Sequence, residues 1–196
     1  MTHYAISEFL IVLTGLWASY RLARQLRLAA MFGTLFFTFA AGIGVFRFGL
    51  DRDGTLIEAL APLHQFISLL GGSAAMMVLV YDLLDRRGDA FIWRSRYEIV
   101  AVVALTAVVL FRPLAVPVFF IWSLGFVTLV VRSAAPEYSS RLRVGTMAGL
   151  MLIALLVFRQ ASWLSPALSW HIFHSLVAVW LLGLGYILVL PRRVAV

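Results

Sequence analysis

The feature that most constrains this chain is the recurrence of long apolar runs, near residues 4–22, 28–49, 57–82, 97–112, 114–132, 143–160 and 169–190. A helix needs about 20 apolar residues to cross about 30 Å of hydrocarbon. In lipid a backbone must satisfy its own hydrogen bonds, so such runs become helices packed side by side. The pattern predicts an all-α fold: one domain over residues 1–196, an integral membrane bundle of seven transmembrane helices. Between the fourth and fifth runs stands "FRPLAVP", where Pro113 and Pro117 make either a tight turn or one long kinked element. No internal repeat, low-complexity tract or soluble domain interrupts the series.

Composition agrees. The chain is 63% hydrophobic and 13% charged, against roughly half apolar and a quarter charged in soluble domains. Its net charge of +7 is no nucleic-acid footprint here, because basic residues of a membrane protein gather on cytoplasmic loops and fix orientation. Cysteine is absent, which excludes disulfides, thiol nucleophiles and thiolate ligands. "MTHYAISEFL" has neither a basic n-region nor a small-residue cleavage site, so the first apolar run is expected to be a retained helix.

Sidedness follows from the arginines. Arg21, Arg24, Arg27, Arg86, Arg87, Arg94, Arg96, Arg132, Arg141, Arg143, Arg192 and Arg193 fall on one side; Arg47, Arg52, Arg112 and Arg159 fall on the other. Twelve against four places the C-terminus in the cytoplasm and, with seven spans, the N-terminus outside. The expected location is a bacterial inner (cytoplasmic) membrane. "DRRGDAFIWRSR" reads as a cytoplasmic loop, with Phe91 to Trp93 resting at the headgroups.

With orientation assigned, the polar residues of the spans fall into one layer. His171 and His174 head the seventh run, His64, Gln65 and Ser68 lie in the third, Arg47 ends the second, Glu8 lies early in the first, and Arg159 and Gln160 close the sixth. At 1.5 Å per residue this layer sits on the order of 5–10 Å below the outer interface. Ionisable groups inside a membrane face the bundle interior and seek partners. For Arg47 and Arg159 the alternative is anchoring at the interface by snorkelling, and for the histidines it is interhelical hydrogen bonding.

Positions i and i+3 share a helix face, so His171 and His174 are expected to point into one cavity, with His64 closing a three-histidine set. Three imidazoles and a water make the usual catalytic zinc site, which supplies hydroxide for attack on an ester or amide carbonyl. Glu8 and Ser68, or Ser175, would orient ligands or shuttle protons, and Arg47 would hold an anionic headgroup or a developing oxyanion. A second use is b-type haem, with His64 opposite His171 or His174 and room at Gly71 and Gly72. A third is a non-catalytic polar network in a solute or proton carrier or in a subunit of a complex. Partners follow suit: membrane lipid, no nucleic acid, and a homo-oligomer or partner subunit left open. No GxSxG, Walker or HExxH motif occurs, and a chain without lysine cannot form a retinal Schiff base. The glycines of "FAAGIG" and "LLGLGY" read as close helix-packing points.

Three segments resemble the CREST superfamily of seven-span membrane hydrolases, which includes alkaline ceramidases and the progestin/adipoQ receptors. "ISEFLIVLTGL" is similar to the first-helix Ala-Glu-Phe pattern that an Asn-Thr pair follows. "AGIGVFRFGL" stands where the family has a glycine-containing run leading to a zinc-binding histidine. "WHIFHSLVAV" resembles the seventh-helix His-x-x-x-His, commonly written around "HAWWHIL". The resemblance implies seven helices, an outside N-terminus and zinc-dependent hydrolysis of lipid amides, with Glu8 matching the first-helix acid and His174 or His171 a seventh-helix ligand. Arg47 replaces the second-helix histidine, the histidine spacing is three rather than four, His64 falls near a position that is usually aspartate, and the Asn-Thr pair is absent. An arginine there would repel a divalent cation, so either His64 is a relocated ligand or the site has lost its metal.

Overall fold

The computed structural model describes residues 3–50, 55–85, 90–134, 138–159 and 161–189. Among them the chain forms α1 (His3–Arg24), α2 (Leu28–Gly49), α3 (Thr55–Asp85), α4 (Ala90–Leu110), α5 (Ala115–Ser133), α6 (Tyr138–Ile153) and α7 (Pro166–Ile187), and no strand. Six stretches are long and apolar enough to cross a membrane: all of these helices except α4, with α5 counted from Arg112 and α6 continued to Phe158. The architecture is that of a helical membrane bundle. Arg52, Arg86, Arg87, Gln160, Arg192 and Arg193 lie outside the described residues.

Local chemistry explains several boundaries. Pro113, without an N–H, confines residues Arg112–Leu114 to one 3-10 turn, so the "FRPLAVP" segment is a turn and not a continuous kinked helix. Ser165 caps α7 by accepting from the Leu168 N–H at 3.3 Å, and Pro166 takes the first helical position, where its missing donor costs nothing. The expected interfacial loop piece Phe91 to Trp93 is instead part of α4, which starts at Ala90. The α1–α2 link is only three residues long and turns through Leu26, held at φ 54°.

The helices do not form a ring of seven. Contacts run α1–α2–α3–α5–α6–α7 and back to α1, while α4 packs chiefly against α3 on the outside of this six-membered ring. Tyr97 anchors α4 by donating its hydroxyl to the Met77 carbonyl. The α4 residues Ile99, Val100, Val102 and Val103 are exposed, as suits a lipid-facing helix.

Small residues set the closest approaches, because helices in lipid associate through packing and interhelical hydrogen bonds. Gly15 of α1 lies against the Thr38 hydroxyl of α2, and nearby the hydroxyls of Ser19 and Thr34 meet at 2.7 Å. Gly183 and Gly185 receive Met147 and Trp17, and Gly44 receives Glu8; Gly42, by contrast, faces open space. The packing expectation thus holds for three of these four glycines.

At the end of the bundle away from the N-terminus, Arg27 is buried. Its Nε donates to Asp82 Oδ2 at 3.0 Å, a second nitrogen pairs with the same oxygen, and Nη1 donates to the Leu188 carbonyl beyond α7. Asp82 Oδ1 accepts from the Ala30 N–H at 3.3 Å. Counted from sequence as a loop charge, Arg27 instead ties the α1–α2 turn to α3 and to the end of α7.

Candidate functional site

At the opposite end the ring encloses a cavity of about 1110 Å³. Its polar lining comprises Glu8, Arg47, His64, Gln65, Ser68, Arg159 and His174, together with Tyr4, Ser162, Ser169 and Trp170; farther along the helices its walls are Phe36, Phe37, Leu69, Phe119, Leu155 and Val177. All six helices of the ring and the segment after α6 contribute. The polar layer expected from sequence is therefore a real neighbourhood, although not every member joins it.

Glu8 is its centre. The residue is 1% exposed, and Gly44 makes its position available: a Cβ there would lie 2.6 Å from Glu8 Cδ and 2.7 Å from Oε1. Glu8 Oε1 faces His174 Nε2 at 3.3 Å and His64 Nε2 at 3.7 Å, yet makes no well-formed hydrogen bond among the described residues. Both histidines are buried.

The far nitrogen of each ring fixes what the near one can do. His174 Nδ1–H donates to the Trp170 carbonyl at 2.7 Å. A neutral His174 therefore presents a bare Nε2 to Glu8, and a hydrogen bond between them requires one proton shared by carboxyl and imidazole. His64 Nδ1 lies 3.3 Å from Arg47 Nη1, which can only donate, so this Nδ1 is the acceptor and His64 carries its proton on Nε2, towards Glu8. Arg47 in turn donates from Nε to the Ile57 carbonyl at 3.0 Å. Arg47 thus lines the cavity and makes two hydrogen bonds there.

His171 goes elsewhere. Its Nδ1 meets Ser7 Oγ at 3.2 Å, while the Ser7 hydroxyl donates to the Tyr4 carbonyl. Its ring stacks on Tyr4 with centroids 5.5 Å apart, and it does not line the cavity. The three-residue spacing places the two imidazoles on adjoining faces of α7, one turned to α1 and one to the interior. His171→Ala is expected to cost one hydrogen bond, about 0.5–1.5 kcal/mol in thermal unfolding, and to leave cavity binding unchanged, whereas His174→Ala is expected to weaken it.

A ligand set of His64, His171 and His174 is consequently not assembled. Among the described residues no group of three His, Asp or Glu side chains stands ready to hold a metal ion. Of the two histidine pairs that could bracket a haem, His64 and His174 both face the Glu8 carboxylate. Ser68 lines the wall one turn beyond His64, whereas Ser175 is exposed outside the cavity.

Two features of the site were not read from sequence. Residues Ala154–Phe158 form a π-helical turn, with the Arg159 N–H bonded to the Ala154 carbonyl at 3.0 Å. No local sequence signal marks it. Trp170 is the other: its ring stacks on His174 at 4.2 Å and meets Tyr4 and Phe48 edge-on, and its buried Nε1 has no partner among the described residues. An aromatic one turn before His174 was the available clue.

Comparison with protein-family models, curated proteins and solved structures gave no match. The likeness to seven-span hydrolases thus rests on the three sequence segments alone.

Proposed function

We propose that this membrane bundle binds an amphiphile, which enters its cavity from the outer leaflet. One observation carries the reading: a single cavity joins a polar end, built around Glu8, Arg47, His64 and His174, to an aromatic and aliphatic floor at Phe36, Phe37, Phe119 and Leu155. Sites for small ligands are apolar concavities with a few placed polar groups, commonly about 300–1,000 Å³, and this one, at about 1110 Å³, is slightly larger. The excess of arginine at the other end of the bundle orients the cavity outward.

The test is saturable binding of a fluorescent alkyl amphiphile to the protein in neutral detergent. Gly72 borders the floor with its Cα facing the Phe119 ring, so Gly72→Phe would fill that space. The wild type is expected to bind, and the filled variant to lose at least about tenfold in affinity, which is about 1.4 kcal/mol. Equal binding by both proteins would overturn the reading.

A hydrolase reading keeps one support, the convergence of two Nε2 atoms on the unpartnered Glu8 oxygen. It would use Glu8, His64 and His174 as ligands, with His171 excluded. Metal content decides it: about one zinc per wild-type chain, absent from His64→Ala/His174→Ala, would support it, and no metal after loading would end it.

A further inference from the structure

We infer that the head of the bound amphiphile is an anion, a carboxylate or a phosphate monoester, and that it seats on Arg159 beside Trp170. The inference rests on the amphiphile reading above and names the class of ligand. Arg159 lies at the cavity rim with its guanidinium carbon 5.4 Å from the Trp170 ring centre and 5.8 Å from that of Phe173. Among the described residues, no carboxylate or other acceptor engages that guanidinium. Arg47 differs, being committed to the Ile57 carbonyl and to His64.

Charge balance points the same way. The described cavity lining holds two arginines and a single carboxylate, Glu8, which already faces His64 and His174. At least one positive charge is left over, in a concave site whose low-dielectric walls strengthen its field. A cationic head would add to that excess, and an anionic one removes it.

Trp170 supplies the flat face under that guanidinium: its ring lines the same wall, while its indole N–H is buried away from the cavity surface. Carboxylate and phosphate oxygens accept from a guanidinium, whose fork matches their geometry. The π turn before Arg159 fits this role. One residue turns a helix through about 100°, so the extra residue re-aims Arg159 relative to an uninterrupted α6, and such bulges recur at functional sites.

The experiment titrates the purified full chain in neutral detergent with hexadecanoate, hexadecyl phosphate, hexadecanol, methyl hexadecanoate, acetate and inorganic phosphate, following tryptophan fluorescence. The two alkyl anions are expected to bind at least about tenfold more tightly than the alcohol or ester. Arg159→Gln is expected to erase that preference, lowering anion affinity about 10–100-fold, while hexadecanol binding stays as it was. Equal wild-type affinities for hexadecanol and hexadecanoate would overturn the inference and leave the amphiphile reading standing. Acetate or phosphate binding as tightly as the alkyl anions would overturn the amphiphile reading and show a free-anion site. Unchanged discrimination in Arg159→Gln would remove Arg159 from the assignment.

Discussion

Asp82→Ala is expected to be the most destabilising single substitution in the chain, lowering the unfolding free energy by about 3–5 kcal/mol, the cost of breaking a buried ion pair from one side. Asp82 accepts two arginine nitrogens and the Ala30 N–H in a setting where both partners are about 5% exposed. Removing it takes the Asp82 carboxylate away from Arg27 and breaks the tie between the α1–α2 turn and α3. The double variant Arg27→Met/Asp82→Leu is expected to recover most of the loss, because two apolar side chains of similar size need no partner. Thermal unfolding in detergent, followed by tryptophan fluorescence, measures both. An Asp82→Ala protein that melts with the wild type would show that Arg27 escapes to water and that the pair holds nothing together.

Glu8 should give the largest effect at the cavity end, and its two simplest replacements should diverge. Glu8→Ala leaves a void beside Gly44 and removes the acceptor towards which His64 directs its Nε2–H. Together the cavity and the orphaned donor are expected to cost about 2–4 kcal/mol. Glu8→Gln keeps the volume. Its carbonyl can accept from His64 and its amide can donate to the bare Nε2 of His174, so its stability is expected to stay within about 1 kcal/mol of the wild type. Comparable destabilisation by Ala and Gln would mean that the carboxylate charge, not its shape and hydrogen bonds, secures the site.

Much of this was legible in the chain itself. Six of the apolar runs became helices of membrane length, and Pro113 marked the α4–α5 turn. Glu8, Arg47, His64 and His174 were singled out because ionisable groups are rare and costly in apolar runs, and the cavity does gather them. Depth along a helix is a one-dimensional quantity, and sequence position supplies it.

Rotation about the helix axis and the order of helices around the bundle are different quantities. The i, i+3 rule put His171 and His174 on one face, but an α-helix turns about 300° over three residues. That leaves the two imidazoles about 60° apart, enough at a seam between helices for one to reach Ser7 while the other reaches the cavity. Arg27 counted as one more loop charge until α3 brought Asp82 to it across 55 residues of chain. The sequence by itself therefore determined the helices, their approximate ends and the depth of each polar residue, because hydrophobic length and local caps are properties of contiguous residues. Only the tertiary structure decided that α4 stands outside a six-helix ring, that Glu8 lies between His64 and His174, and that Arg159 lies over Trp170 at the cavity rim, because each depends on the angle at which one helix meets another.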